Sequence, residues 1–180
     1  MRLVSLLMIL AGVLAAGELV VGEAPPPVRL EGAGGGPIGG GSWSEADLAG
    51  RVRVLFYVDP DEKDLNEATA EAIRHEAFPS EHFGSVAVIN LEASRVPNLI
   101  LNRIIAGKQK KFPRTLYVKD SAKALVRSWG LSDHGYDVVL FDAGGRVKAH
   151  LRGRLSEADT AALVAMIRAE VERLAAAPRD

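Results

Sequence analysis

The sequence predicts an α/β fold in which a central mixed β-sheet is flanked by helices and the chain ends in a hairpin and a helix. Three observations carry this. Residues 52–58 (VRVLFYV) and 85–91 (SVAVINL) are short β-branched and aromatic runs, apolar enough to be strands buried on both faces. Helical periodicity fills the gaps between strands, as parallel neighbours require. Residues 137–142 and 146–151 flank Ala143-Gly144-Gly145, a tight-turn signature. With 180 residues, 48% of them hydrophobic, the chain can supply one packed domain with extensions at its ends.

The first element is an address. The chain opens MRLVSLLMILAGVLAAG. One arginine, an apolar run and then small residues are the zones of a signal peptide, so residues 1–17 are expected to be removed, with cleavage after Ala15 or Gly17. A retained anchor is the alternative, but the run falls short of the ~20 residues that cross a bilayer. No second run of spanning length follows, so a periplasmic protein without a remaining membrane span is expected. Residues 18–50 hold Pro25-Pro26-Pro27 and the glycine-rich stretch 32–41, which suits loop with a short edge hairpin around residues 28–30. These glycines are not a phosphate-binding loop, which needs a Lys-Ser/Thr pair entering a helix.

Beyond residue 51 the pattern sharpens. After the first buried strand, Asp59-Pro60-Asp61-Glu62 starts a helix expected to reach residue 77. The strand at 85–91 follows, then a helix over 94–106 closed by Gly107, with Val96, Leu99, Ile100, Ile104 and Ile105 on its apolar side. A short strand at 115–119 and a short helix at 121–129, closed by Gly130, lead to the hairpin. Ser156-Glu157-Ala158-Asp159 caps a last amphipathic helix reaching residue 174, with Leu163, Met166, Ile167 and Val171 facing inward. The folded domain is thus expected over 51–175, followed by a tail at 176–180. Trp129, Phe141 and Tyr117 read as core residues rather than as a cofactor box.

Composition excludes several functions. Twenty-two Lys and Arg against 23 Asp and Glu leave a net charge of -1, without the basic excess that nucleic acid requires. The chain has no cysteine, so dithiol exchange, thiol peroxidase chemistry, disulfide staples and Cys-based zinc sites are excluded.

Longer stretches carry a family likeness. The lead-in VGEAPPPVRL, then AGRVRVLFYV, a helix, and SVAVINLE follow the order of TlpA-type thioredoxin-like proteins. More narrowly, RVRVLFYVDPDEKDLNE, KFPRTLYVKD and SWGLSDHGYDVVLFDAGGRV resemble the YtfJ family of exported bacterial proteins, over residues 18–174. The resemblance implies a thioredoxin-like fold and a periplasmic location. In redox-active relatives a C-x-x-C pair opens the first helix and a cis-proline faces it. Here those positions fall on Asp61-Glu62-Lys63-Asp64 and on Tyr136, so the resemblance implies the scaffold without its chemistry.

The densest polar cluster, residues 59–67, has two readings. Asp59 as cap, Pro60 in the first helical position and Glu62 completing a capping box would simply start a helix, with acidic groups complementing its dipole. Alternatively Asp59, Asp61 and Asp64, with the Asn66 carbonyl, offer hard oxygen ligands for calcium or magnesium, although the spacing is not that of an EF-hand. In the fold implied by the resemblance, this turn lies near the loop Asp133-His134-Gly135-Tyr136-Asp137. No cofactor is expected beyond such a divalent cation.

Of the histidines, His75 and His82 do not form H-E-x-x-H, and Pro79 divides them. His150 reads as a half-buried neutral imidazole. Lys108-Gln109-Lys110-Lys111 screens a helix C-terminus, with contact to anionic lipid or protein as the alternative. The leading expectation is a non-enzymatic module that binds a periplasmic protein or peptide through the former active-site groove, at Asp59, Asp61, Asp64, Asn66, His134 and Tyr136. The others are a cation- or small-ligand-binding protein and a hydrolase built on His134 and neighbouring carboxylates.

Overall fold

Alternating apolar runs and helical stretches place the strands inside and the helices outside. The computed structural model describes residues 17–177; the signal-peptide reading of residues 1–17 therefore lies almost wholly outside the described residues, as does the end of the tail. In chain order the elements are β1 (Arg29–Leu30), β2 (Gly35–Pro37), β3 (Trp43–Ser44), β4 (Val52–Val58), α1 (Glu67–His75) and β5 (Phe83–Asn90). There follow α2 (Asn98–Lys111), β6 (Thr115–Asp120), α3 (Ala124–Trp129), β7 (Tyr136–Phe141), β8 (Val147–Arg152) and α4 (Glu157–Ala175). Among the described residues no helix is long and apolar enough to cross a membrane.

The sheet has six strands in the order β2-β6-β5-β4-β7-β8. Strands β4, β5 and β6 run parallel, and β7, β8 and β2 are antiparallel to their neighbours. Alternation along each strand sends side chains to two faces. On one face Leu55, Tyr57, Val88 and Phe141 pack beneath Leu30 and Trp43 of the N-terminal segment and Trp129 of α3. Trp43 and Trp129 meet edge to face at 6.2 Å, and the Trp129 indole N–H donates to the Pro26 carbonyl at 2.7 Å. On the other face Val54, Phe56, Val138 and Leu140 pack against Ile73 of α1 and Leu163 and Ile167 of α4.

One buried carboxylate organises the first of these faces. Asp120, at the end of β6, accepts from the N–H groups of Ala122, Ala124 and Leu125, and also from the Tyr57 hydroxyl at 3.1 Å. It thus supplies the acceptors that the start of α3 lacks.

Four expectations change. The glycine-rich stretch is not simply loop: Gly35–Pro37 pairs with β6 and closes that edge of the sheet. Gly35 has φ 135°, and a Cβ there would stand 2.0 Å from the Lys119 carbonyl oxygen, so only glycine permits the approach. The first helix begins at Glu67 rather than Asp59. Residues Pro60–Glu62 form a separate 3₁₀ turn, and buried Asn66 ties the helix start to the lead-in of α4 by donating to Gly153 O and accepting from Leu155 N–H.

Helix α2 runs through Gly107 and stops before Pro113, whose ring cannot continue it. Its buried stripe is Leu101 and Ile105, which pack against Ile89 and Tyr117; Val96 precedes the helix, and Leu99, Ile100 and Ile104 lie off that face and are exposed. In α4, Met166 is exposed and Val164 is buried, while Leu163, Ile167 and Val171 face inward behind a complete Ser156–Asp159 capping box.

Candidate functional site

The turn after β4 is built around Asp59. Its side chain is buried, and one oxygen accepts from the Asp61 N–H at 2.8 Å, while its backbone N–H donates to Gly135 O at 2.9 Å. That backbone bond ties the turn to the loop before β7. The other Asp59 oxygen lies 3.5 Å from His134 Nδ1, and the His134 side chain is two-thirds exposed.

The remaining carboxylates go elsewhere. Asp61 accepts from the Ser94 hydroxyl at 3.1 Å, and exposed Asp64 pairs with Lys63 at 3.0 Å. Asn66 faces the α4 lead-in. The structure therefore brings Asp59 and His134 together but not Asp59, Asp61 and Asp64. Among the described residues no three His, Asp or Glu side chains converge to hold a metal ion. Asp59 and His134 do not line the cavity described below.

The neighbouring loop is fastened by ion pairs and hydrogen bonds. The Asn90 amide donates to Asp133 O and Oδ1, and Lys123 Nζ stands 2.8 Å from Asp133 Oδ2. The Lys123 contact holds the Asp133 carboxyl below the usual carboxylate range. Lys123 adopts a positive φ of 53°, unusual for a residue with a side chain. Wholly buried Asp137 accepts from the Ser132 N–H at 2.8 Å and contacts His150 Nε2 at 2.7 Å. His150 is thus paired with a buried carboxylate.

Beside the turn lies a cavity of about 410 Å³ between the sheet, α1 and α2. Phe56, Val58, Ala87, Ile89 and Tyr136 form its floor. Ala70 and Arg74 line it from α1, and Leu101, Ile105 and Lys108 from α2. Pro60, Asp61 and Lys63 bring the turn after β4 into its wall. Buried Tyr136 packs edge-on to Phe56 at 6.2 Å, and burial pushes its phenol above the ordinary tyrosine range, so it stays a neutral donor. Every described peptide bond is trans, including the one before Tyr136.

Of the six residues expected at the groove, Asp61 and Tyr136 line this cavity, and Asp59, Asp64, Asn66 and His134 do not. Phe56, Ala87 and Ile89 were not distinguishable from core, because a strand residue facing a cavity carries the same apolar signature as one facing a helix. The basic run at 108–111 was the one visible signal for the far end of the cavity.

The arrangement has relatives. The family described as "Bacterial protein of unknown function (YtfJ_HI0045)" matches residues 38–170. An "Uncharacterized protein" of Haemophilus influenzae is 26% identical over 129 residues, covering 69% of this chain and 70% of its own. Among solved structures, the exposed lipoprotein thioredoxin of Streptococcus pneumoniae superposes with a TM-score of 0.57 at 10% identity, over 78% of this chain and 98% of that one. The thioredoxin domain of a thiol-disulfide oxidoreductase from Bacteroides vulgatus gives 0.57 at 19% identity, over 83% and 98%. At such identities the likeness carries the fold alone, which is thioredoxin-like.

Proposed function

Because the chain belongs to the YtfJ_HI0045 family and has a thioredoxin-like fold without a single cysteine, we propose that it is an exported, non-enzymatic module that binds a ligand or partner in the former active-site groove. One observation carries this reading. Of the four positions where the dithiol motif would fall, Asp61 and Lys63 line an apolar cavity, and Tyr136, at the cis-proline position, forms part of its floor; the volume is typical of small-molecule sites (about 300–1,000 Å³). A redox thioredoxin needs thiolates at that turn, and this chain has no cysteine to supply them. An apolar concavity bordered by a few polar groups is instead the form of a binding site. The signal-like residues 1–17 support export.

The test uses indole, an uncharged apolar probe, and backbone amide spectra of the purified chain. Shifts are expected to cluster at Asp61, Ala87, Ile89 and Tyr136, and to vanish in Ala87→Leu, whose side chain fills the cavity floor. Shifts confined to the opposite face, or unaffected by Ala87→Leu, would overturn the assignment.

A further inference from the structure

Resting on that reading of the groove, we propose that its ligand is a single-chain amphiphile, with the hydrocarbon tail in the cavity and a carboxylate or phosphate head at Phe112. The cavity floor and its α2 wall are dominated by apolar side chains, so a tail is matched by contact rather than by hydrogen bonds. At one end three cations gather on one ring. Arg74 stands 4.7 Å from the Phe112 centroid, Lys111 5.1 Å and Lys108 5.9 Å. Arg74 is paired with Glu71, but among the described residues neither Lys108 nor Lys111 has a carboxylate within ion-pair distance. An anionic head placed there relieves the mutual repulsion of these cations.

The charge pattern also sets a direction. Glu67 and Asp61 lie at the opposite end of the cavity, and Glu67 is seven residues before Arg74, about 10 Å along α1. These two carboxylates repel an anionic head from that end, and Lys63, which also lines it, is already paired with Asp64 at 3.0 Å. Phe112, Arg74 and Thr115 also line a second cavity of about 290 Å³, so the head sits where the two cavities adjoin.

A peptide is matched less well. Peptide capture by a sheet uses a free strand edge. Near the cavity that edge is occupied: the Gln109 side chain donates to Thr115 O at 2.9 Å and accepts from the Tyr117 N–H at 3.1 Å. Strands β4 and β5, which form the floor, are paired on both sides. What remains for recognition is apolar area and positive charge.

Isothermal titration of the purified chain tests this with dodecanoate, dodecyl phosphate and dodecyltrimethylammonium, and with the same anions on Lys108→Glu/Lys111→Glu. One site is expected for the anionic ligands, at least tenfold tighter than for the cation, and the tighter anion identifies the head. Octanoate is expected to bind more weakly than dodecanoate, by up to about fourfold per lost methylene. The double variant should lose at least tenfold for the anions while still binding indole. Equal affinity for the cationic amphiphile, or indifference to the charge reversal, overturns the proposal. So does failure of both anions to bind a chain that still binds indole, and in that case the groove reading survives. If indole fails as well, both fall.

Discussion

Asp120 accepts four hydrogen bonds at zero exposure, which no neutral side chain at that position can do. Asp120→Asn replaces an acceptor oxygen by a donor nitrogen against N–H groups, and is expected to lower stability by about 3 kcal/mol, read as a shift of the urea midpoint at constant slope. Tyr57→Phe removes only one of these bonds and should cost about 1 kcal/mol. Asp133 contributes to the pH dependence. Its pKa is depressed in the folded state, chiefly by Lys123, so the pair stabilises the fold above the unfolded value of about 4. That contribution is lost as pH falls through the folded value. In Lys123→Met the Asp133 carboxyl, followed by NMR, is expected to titrate nearer the ordinary range, with a smaller loss of stability on acidification. An unchanged titration would remove the pair from this account.

At the scale of elements, α2 is attached by a narrow stripe. Leu101, Ile105 and Gln109 recur every four residues and so lie on one face, two packing and the third sealing the β6 edge. Gln109→Leu keeps the bulk but leaves the Tyr117 N–H and Thr115 O without that partner. The Tyr117 amide is then expected to exchange faster by at least tenfold, while amides in β4 keep their protection. Equal protection in both proteins would show that the edge is closed by something other than Gln109. The opposite half of the same edge is closed by β2, whose glycines let its backbone lie against β6.

Across the whole molecule the two faces of the sheet are filled unequally. The face under Trp43 and Trp129 is sealed, whereas the face under α1 and α2 keeps a cavity of about 410 Å³. Adjacent residues of β5 report this difference, since Val88 faces the sealed side and Ala87 the cavity. Val88→Ala is expected to cost about 2 kcal/mol, and Ala87→Leu to leave the thermal midpoint unchanged or raise it. A large loss in Ala87→Leu would mean that the cavity has no room for the added carbons.

The sequence by itself determined the order of strands and helices beyond residue 51, the hairpin, the α4 cap and the exclusion of thiol chemistry, because each depends on local pattern or on composition alone. The family likeness pointed to Asp61 and Tyr136, which line the cavity, and equally to Asp59, Asp64, Asn66 and His134, which do not. Tertiary structure decided the rest. Whether Gly35 belongs to loop or edge strand depends on a neighbour 84 residues away in the chain, Lys119. Asn66 clamps the start of α1 because residues 153–155 reach it. The face of α2 depends on what packs beneath it. The cavity itself exists because two helices stand apart over a sheet, and a space between elements has no pattern in any one of them.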